Sequence, residues 1–251
     1  ELEKNELISK NPLIKKFIKR YMGANDLINN VIRYCLWLVN ASPRELRNMP
    51  EILKRLEKVK ENRLSSKKAA TRKWADRPFL FTENRQPDSD YLILPVVSSE
   101  RRKYIPVWYV TKDVIANANA QMIPNANLYT FGVINSNVHN AWMRVVCGRM
   151  KSDYAYSATI VYNNFPWCNP TPEQKAKIEK TAQAILDARA LYPDCSLADL
   201  YDETTMPPEL RKAHQANDFA VMAAYGFDRK ITESECVAEL MKRYQELVEK
   251  A

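Results

Sequence analysis

Apolar residues recur at helical spacing in several stretches of this chain. In residues 12–22 the apolar positions lie three and four apart, which predicts a short amphipathic helix. The same spacing continues over residues 43–74, where a break before Pro50 divides a long helical region. Ser42 and Glu45 stand at the two positions of a capping box, so they predict where that region starts.

A different pattern predicts β-structure between residues 79 and 134. Short runs of Val, Ile, Tyr and Trp are broken there by Pro, Asn and Ser, as is typical of strands joined by turns. The predicted strands cover residues 91–97, 103–110, 113–122 and 128–134, and an apolar run predicts one more buried strand at 32–39. Residues 139–147 return to helical spacing.

Helical spacing governs the chain from Thr171 onwards. Four helices are predicted in this part of the sequence. Thr171 with Gln174 resembles the start of the first helix, and Thr232 with Glu235 predicts a capping box at the start of the last.

These patterns together predict an α+β fold. A mixed β-rich domain with flanking helices is expected over residues 1–168, divided into a helical and basic part (1–77) and a β-rich part (78–168). A small all-α helical bundle is expected over residues 169–251, packed on the β-rich part.

Composition indicates a globular protein without a membrane segment. The chain is 46% hydrophobic and 27% charged, and no apolar run approaches the roughly 20 residues that a membrane helix needs. Its five cysteines include no Cys-x-x-Cys pair, which disfavours disulfides and a zinc site and favours a reducing cytoplasm. The chain begins at Glu1 without a signal-peptide pattern, and we expect it to be a piece of a longer protein.

Positive charge is concentrated in one part of the chain. The formal net charge is +8, yet residues 54–77 alone hold ten basic and three acidic residues, whereas the stretch from Thr171 to the end carries a net charge of −4. A basic body with an acidic tail indicates a polyanionic partner for the body. The alternative interpretation of residues 54–77 is a solvated helix face.

The segment 147–166 carries a pattern suited to reading DNA bases. If it is extended, the period of two places Lys151, Asp153 and Ala155 on one face. A lysine donates to guanine O6 and N7, an aspartate accepts from cytosine N4, and an alanine leaves room for a thymine methyl group. An exposed edge strand would show the same alternation, and the segment by itself favours that simpler interpretation.

Further residues offer contacts to nucleic acid. Asn117, Asn119 and Gln121 alternate with alanines, and such amides pair with adenine N6 and N7, although a polar solvent face would look the same. Phosphate contacts are assigned to two basic groups, which are Lys67, Lys68, Arg72 and Lys73 in the helical part and Arg101, Arg102 and Lys103 at a predicted turn.

The sequence lacks the patterns of a catalytic centre. Its four glycines form no phosphate-binding loop, and it contains no zinc constellation, Ser–His–Asp arrangement or nuclease motif. His139 is interpreted as a turn or helix-start residue and His214 as a surface or packing histidine. We therefore expect no catalytic residues, no metal and no cofactor in this fragment.

Seven ordered blocks of the chain are similar to one known family. They are RYCLWL (33–38), SSKKAATRKWAD (65–76), ENRQPDSDYLILP (83–95), SSERRKYIP (98–106), LYTFGVINSNVHNAWMRVVCGRMKSDYAYS (128–157), YNNFPW (162–167) and SLADLYDETTMPPELRKAHQANDFAVMAAYGF (196–227). Across essentially its whole length the chain resembles the C-terminal part of MmeI-like type IIL restriction–modification proteins. Members of that family join a nuclease, an adenine-specific DNA methyltransferase, a target recognition domain and a helical module in one chain.

This resemblance implies a role in recognising double-stranded DNA. It implies that Lys151 and Asp153 read the two sides of one G·C pair beside Ala155, with the amides around Asn119 as a second reader. The S-adenosylmethionine site, and the Mg²⁺ used for cleavage, would lie upstream in the parent protein. The methyltransferase domain found there would be a partner of this chain.

The start of the tail, PTPEQKAKIEKTAQAIL, also resembles the segment that follows each recognition domain in type I specificity subunits. That second resemblance implies a scaffolding role for the tail. The alternative function for the whole chain is a protein–protein module, the specificity piece of a multi-subunit complex that binds DNA weakly alone.

Overall fold

The computed structural model describes residues 1–250 and has the α+β class that the sequence predicts. In chain order the α-helices are α1 (Leu2–Lys10), α2 (Ala24–Ile28), α3 (Pro43–Arg47), α4 (Pro50–Leu64), α5 (Ala69–Arg72), α6 (Leu128–Ile134), α7 (Asn137–Val146), α8 (Pro172–Ala190), α9 (Leu197–Leu200), α10 (Pro208–Tyr225) and α11 (Glu233–Glu249). The strands are β1 (Ile18–Met22), β2 (Arg33–Leu36), β3 (Tyr91–Pro95), β4 (Val97–Ser98), β5 (Trp108–Val110), β6 (Val114–Ala116), β7 (Ala120–Pro124), β8 (Gly148–Met150) and β9 (Asp153–Ala155). A 3₁₀ helix (Pro12–Phe17) precedes β1, and a π-helical turn (Ala158–Tyr162) follows β9.

The chain divides into two compact units that are each built from separate segments. The first unit comprises Glu1–Met22, Ile32–Asp88 and Lys112–Ile115, and the second comprises Gly23–Val31, Ser89–Thr111 and the chain from Ala116 onwards. In the first unit the buried residues that form the hydrophobic core are Ile14, Phe17, Leu38, Met49 and Ile52.

Residues 12–22 do not form the single helix that their spacing predicts. The Asn11 side chain accepts a hydrogen bond from the N–H of Leu13 and starts the 3₁₀ helix, after which the chain continues into β1. β1 lies between β2 and β6, and Ile18 stands opposite Leu36 across the antiparallel pair. Pairing of the main chain on both sides therefore outweighs the helical periodicity of a short apolar pattern.

The strand predicted at 32–39 is shorter and less buried than expected. β2 covers four residues, and none of them is fully buried. The physical reason is its position, because β2 is an edge strand in a sheet of order β2-β1-β6.

The helical region predicted at 43–74 is broken before Pro50, as expected. α3 ends at Arg47, and α4 begins at Pro50. A second break, which the sequence does not predict, separates α4 from α5 at residues 65–68. The Oγ of Ser42 accepts from the N–H of Glu45, whose carboxylate accepts from the N–H of Ser42, so the predicted capping box is confirmed.

β3 is the central strand of one sheet in the second unit, and all five of its residues are buried. It pairs antiparallel with β5 on one side and β7 on the other. The strand predicted at 103–110 is confined to β5, since the N–H of Ile105 donates instead to the Asn140 side chain at 2.9 Å. The strand predicted at 113–122 is divided by a turn at residues 117–119.

Residues 128–134 form helix α6, so the strand predicted there is wrong. Asn127 caps the helix by accepting a hydrogen bond from the N–H of Thr130 at 2.9 Å. A Cβ atom added at Gly132 would lie 2.7 Å from the Ile178 side chain and 3.1 Å from that of Ala182, both in α8. Close packing against α8 therefore fixes this apolar run as a helix, which its composition leaves undecided.

The C-terminal helices pack on α6 and α7. α8 lies against α10 and α6, and α11 lies against α7, where the rings of Trp142 and Tyr244 are 5.8 Å apart. Capping interactions at Thr171 and Thr232 are confirmed, because each side chain accepts from the main chain three residues later. Within residues 1–250 no helix combines the length and apolar character needed to cross a membrane.

A buried arginine links these helices to the β-rich part of the second unit. Arg189 in α8 is 5% exposed, and its Nη1 donates to the carbonyl oxygen of Val107 at 2.6 Å. Its guanidinium also donates to the Tyr201 hydroxyl, which lies 2.8 Å from the Nε2 of His214. His214 is therefore a fully buried packing residue rather than a surface one.

Candidate nucleic-acid interface

The β8–β9 hairpin holds the residues that the sequence proposes as base readers. Met150 pairs with Asp153, so Lys151 and Ser152 form a two-residue turn. Lys151 has φ +58°, a left-handed conformation that costs a residue with a side chain roughly 1–2 kcal/mol. The prediction that Lys151 shares a strand face with Asp153 and Ala155 is therefore wrong, because the alternation ends where the turn begins.

The two faces of this hairpin carry different residues. Asp153 and Ala155 lie on the same face, as predicted, and Met150 joins them because it is paired with Asp153. Met150 is 58% exposed. Arg149 and Tyr154 stand opposite each other on the other face, where Tyr154 is buried.

A main-chain hydrogen bond holds Asp153 in place, and a cation lies in its neighbourhood. Its Oδ1 accepts from the main-chain N–H of Glu100 at 3.3 Å. Burial lowers the pKa of the Arg102 guanidinium, while the carboxylates of Asp153 and Asp202 act in the opposite direction. The loop at residues 99–103 thus fixes one carboxylate oxygen of Asp153. The same loop places the positive charge of Arg102 near the hairpin.

That loop follows β4, which pairs directly with β9. Of its three basic residues, Arg101 and Lys103 are exposed, whereas Arg102 is half-buried. The carbonyl oxygen of Lys103 accepts a hydrogen bond from Arg144 at 3.0 Å, which ties the loop to α7. The sheet of order β4-β9-β8 therefore brings both charged turns of the sequence to the same end of its strands.

The amides at 117–121 do not form one continuous ladder. Oδ1 of Asn117 accepts from the N–H of Asn119 at 2.7 Å, which closes a turn of the Asx type. The side chain of Asn117 also fills the space that a Cβ atom would need at Gly23. Asn119 is exposed, and Gln121 lies in β7 with its Nε2 3.5 Å from the carbonyl oxygen of Tyr156.

Val96 connects this turn to the hairpin. Its N–H donates to the carbonyl oxygen of Asn119 at 3.2 Å, and its own carbonyl oxygen accepts from the N–H of Tyr156 at 2.7 Å. Val96 is the residue between β3 and β4. These two strands belong to different sheets, β5-β3-β7 and β4-β9-β8. Two candidate reading segments that are distant in sequence therefore meet at one backbone junction.

The basic residues predicted in the helical part belong to the first unit, where Lys67 and Lys68 lie between α4 and α5 and Lys73 follows α5. Lys67, Lys68 and Lys73 are exposed there. Arg72 is exposed as well, but its Nη1 donates to the carbonyl oxygens of Ser66 and Lys67 at 2.7 and 3.0 Å, so part of its guanidinium is engaged in the local fold.

Neither the hairpin turn nor the contacts of Arg149 were predicted from the sequence.

His139, interpreted as a turn or helix-start residue, is fully buried in α7, and its Nε2 lies 3.0 Å from the Tyr156 hydroxyl. Within residues 1–250, no three His, Cys, Asp or Glu side chains are grouped so that they could hold a metal ion.

Comparisons with known proteins cover the whole chain. The family described as "MmeI, target recognition domain" matches residues 1–169, and the family described as "MmeI, C-terminal domain" matches residues 170–251. DNA methyltransferase A of Bacillus subtilis is 35% identical over 248 residues, which are 99% of this chain and 28% of that protein. The structure of the type IIL restriction-modification enzyme MmeI in complex with DNA matches with a TM-score of 0.93 and 46% sequence identity, over 99% of this chain and 33% of that one.

The resemblance drawn from the seven sequence blocks is thereby confirmed. The chain spans only 28% of the curated relative and 33% of the solved one. It belongs to the MmeI family, with the target recognition domain and the C-terminal domain of that family in sequence order.

Proposed function

We propose that this chain selects the double-stranded DNA sequence on which a larger restriction–modification enzyme acts. The observation that carries the proposal is the β8–β9 hairpin, which presents Lys151 in its turn and an anchored Asp153 beside a basic loop. The family is named for target recognition, and a matching relative was solved in complex with DNA. Both facts support the assignment.

Lys151 and Asp153 would read the two bases of one G·C pair. The Lys151 ammonium would donate to guanine O6 and N7, and the second oxygen of Asp153 would accept from cytosine N4. Lys151 lies in the turn and Asp153 lies in the strand. Their side chains therefore leave the backbone at different places, and each would contact a different base of the pair. Ala155, on the Asp153 face, would leave room for a thymine methyl group.

A second reading segment is proposed at residues 117–121. Asn119 and Gln121 would contact base edges, since the first is exposed and the second is half-buried. Asn117 already uses its side-chain oxygen within the turn, so it would offer only its amide N–H groups.

Phosphate contacts would position the chain on the duplex without specifying sequence. Arg101 and Lys103 are the exposed cations beside the hairpin, and the half-buried Arg102 would contribute less. In the first unit the proposed phosphate contacts are Lys67, Lys68, Arg72 and Lys73.

The activity proposed for the parent protein is adenine-N6 methylation of DNA, with cleavage as a further activity. S-adenosylmethionine, and Mg²⁺ for cleavage, would be bound by the part of the relatives that lies outside this chain. The methyltransferase domain in that part would be the intramolecular partner, and the cytoplasm would be the compartment. Residues 1–168 would act as the recognition domain, and the helical domain at 169–251 would brace it.

The assignment is tested with the full-length protein that carries this chain. The protein and S-adenosylmethionine are incubated with a pool of random DNA duplexes, and methylated adenines are located by single-molecule sequencing. The wild type is compared with the Lys151→Glu/Asp153→Arg double variant. We expect both to methylate a defined motif, and the two motifs to differ at a single G·C position.

An unchanged motif with intact activity would move base reading away from the hairpin, first to the Asn117–Gln121 turn. No methylated motif from the wild type would contradict the function itself. The alternative, a protein–protein module that binds DNA weakly alone, predicts that this chain binds duplexes weakly and with little dependence on salt. A steep salt dependence would exclude it.

A further inference from the structure

We propose that Arg149 is a positioning residue for base recognition, because it holds the hairpin turn that carries Lys151 and Asp153. This inference rests on the proposed function. Nothing in the sequence marks Arg149 as different from the other surface cations. Its role follows from three contacts that meet at one guanidinium.

The first contact of Arg149 closes the turn. Its Nη1 donates to the carbonyl oxygen of Ser152 at 2.8 Å. Ser152 lies between the two proposed readers, so this bond fixes the peptide that connects them. A guanidinium bonded to a carbonyl oxygen restricts the turn more than solvent would.

The other two contacts place the guanidinium between the Tyr154 ring and the Glu100 carboxylate. Its Cζ lies 4.1 Å from the centre of the Tyr154 ring, at the distance of a cation–π contact. Tyr154 is buried, so the ring is a rigid surface for the arginine. On the loop side, Nη1 lies 4.0 Å from the carboxylate of Glu100, the residue whose N–H anchors Asp153.

The turn needs such a brace because β8, the strand that leads into it, has little other support. All three residues of β8 are exposed, and β8 is the edge strand of its sheet. Beyond the Met150–Asp153 pair the chain enters a two-residue turn in which Lys151 adopts a left-handed conformation. A recognition contact must be held to about half an ångström, and the core does not reach this turn.

A direct phosphate contact is the competing role for Arg149, since its side chain is 46% exposed. The two roles predict different patterns of DNA binding. A phosphate contact serves every sequence alike and steepens the dependence on salt. A brace behind the turn acts through Lys151 and Asp153, so its loss affects the one base pair that they read.

Two substitutions in the full-length protein separate the roles. Arg149→Lys keeps the charge but lacks the planar guanidinium that stacks on Tyr154 and bonds to the turn. Arg149→Met removes both the charge and the guanidinium. Binding is measured with a randomised duplex pool, by sequencing the bound fraction. Affinity for one scrambled duplex is measured at several salt concentrations.

We expect both variants to lose discrimination by about five- to a hundredfold at the same base pair as Lys151→Ala. All other positions of the motif should persist, and Arg149→Lys should bind scrambled DNA within about twofold of the wild type. In a Lys151→Ala/Asp153→Ala background, Arg149→Met should cause no further loss of discrimination, because the readers it positions are gone.

Arg101→Met is the matched control. Arg101 is an exposed arginine on the adjacent loop, and its loss should weaken all sequences alike. If Arg149→Met behaves in the same way while Arg149→Lys keeps full discrimination, Arg149 is a phosphate contact and the inference is wrong. A wild type that selects no sequence would instead contradict the proposed function, so the two failures are distinguishable.

Discussion

The main-chain N–H of Glu100 donates to the Oδ1 of Asp153, and this hydrogen bond joins a loop and a hairpin that are far apart in the sequence. The bond is possible because β4 pairs with β9, which places the loop after Ser98 beside the strand of Asp153. One oxygen of the carboxylate is engaged, and the other can accept a hydrogen bond from a base. Asp153 is therefore suited to accept a hydrogen bond from a single base donor through its second oxygen.

We expect Asp153→Asn to reduce the preference for one G·C pair without unfolding the hairpin. The amide oxygen can still accept from the N–H of Glu100, but the second oxygen is replaced by an amide nitrogen that donates. Two donors would then face each other at cytosine N4, so discrimination should fall by about 1–3 kcal/mol. Competition binding between the cognate duplex and single-base variants measures this loss. Equal weakening for every duplex would contradict base reading by Asp153.

The left-handed conformation of Lys151 predicts that one substitution there changes protein stability and base recognition in different ways. Glycine adopts the left-handed conformation freely, so Lys151→Gly should relieve strain that is offset only in part by the greater freedom of the unfolded chain. We expect the free energy of unfolding to stay constant or rise by up to about 1 kcal/mol, while discrimination at one base pair is lost.

Lys151→Ala is the control for this prediction. It removes the same ammonium group but keeps a side chain in the left-handed conformation, so it should lose recognition without any gain in stability. Chemical denaturation and duplex competition on both variants give the comparison. A glycine variant that is clearly less stable than the alanine variant would show that the turn is not strained.

Local signals in the sequence predict those features that a few neighbouring residues decide. The capping box of Ser42 with Glu45 needs only partners three positions apart, and the structure confirms it. Residues 128–134 are different, because their apolar pattern fits a strand or a buried helix. Gly132 lies against Ile178 and Ala182 in α8, and no local window of the sequence contains that contact.

The same distinction applies to the candidate site. The face shared by Asp153 and Ala155 follows from a period of two, which is a local property. The turn at Lys151 could not be predicted in this way, since two-residue hairpin turns usually contain Asn or Gly and this one contains Lys and Ser. The role of Arg149 depends on contacts with the carbonyl oxygen of Ser152 and the ring of Tyr154 on the opposite strand. No sequence pattern predicts these contacts.

Arginines that are adjacent in the sequence should differ in their effect on the salt dependence of DNA binding. Arg101 is exposed, so Arg101→Met should lower the slope of log K against log salt by about 0.9. Arg102 is half-buried, and the negative charges of Asp153 and Asp202 act on it, so Arg102→Met should change the slope less. Fluorescence anisotropy with one scrambled duplex at four salt concentrations measures both. Equal slope changes would mean that Arg102 also reaches a phosphate.

Buried histidines predict a loss of stability in mild acid. His139 is fully buried, and burial lowers its pKa to about 3. Between that value and the pKa of about 6.5 in an unfolded chain, only the unfolded state binds the proton, so stability falls as the pH falls. Burial also lowers the pKa of His214, whereas it raises the pKa of Asp218 to about 6, which acts in the opposite direction.

The contribution of His139 is isolated by comparing the wild type with His139→Gln. Urea denaturation at several pH values between 5 and 6.5 gives the dependence of the unfolding free energy on pH. We expect the variant to be less stable overall, since it loses a buried ring that contacts Tyr156 and Phe165. Its pH slope should be smaller by up to about 1.4 kcal/mol per pH unit, which corresponds to one proton. An unchanged slope would show that His139 is protonated in the folded protein.

Glycine-to-alanine substitutions test whether the C-terminal helices share a core with α6. A Cβ atom at Gly132 would lie 2.7 Å from the Ile178 side chain, 3.0 Å from the side-chain oxygen of Asn217 and 3.1 Å from Ala182, so α8 and α10 would have to move. We expect Gly132→Ala to lower the free energy of unfolding by about 1–3 kcal/mol. At Gly148 an added Cβ atom would meet only Ala155 at 3.9 Å, so Gly148→Ala should change stability by less than about 0.5 kcal/mol. Equal effects of the two substitutions would mean that α6 can shift without cost, and that the C-terminal helices do not hold it.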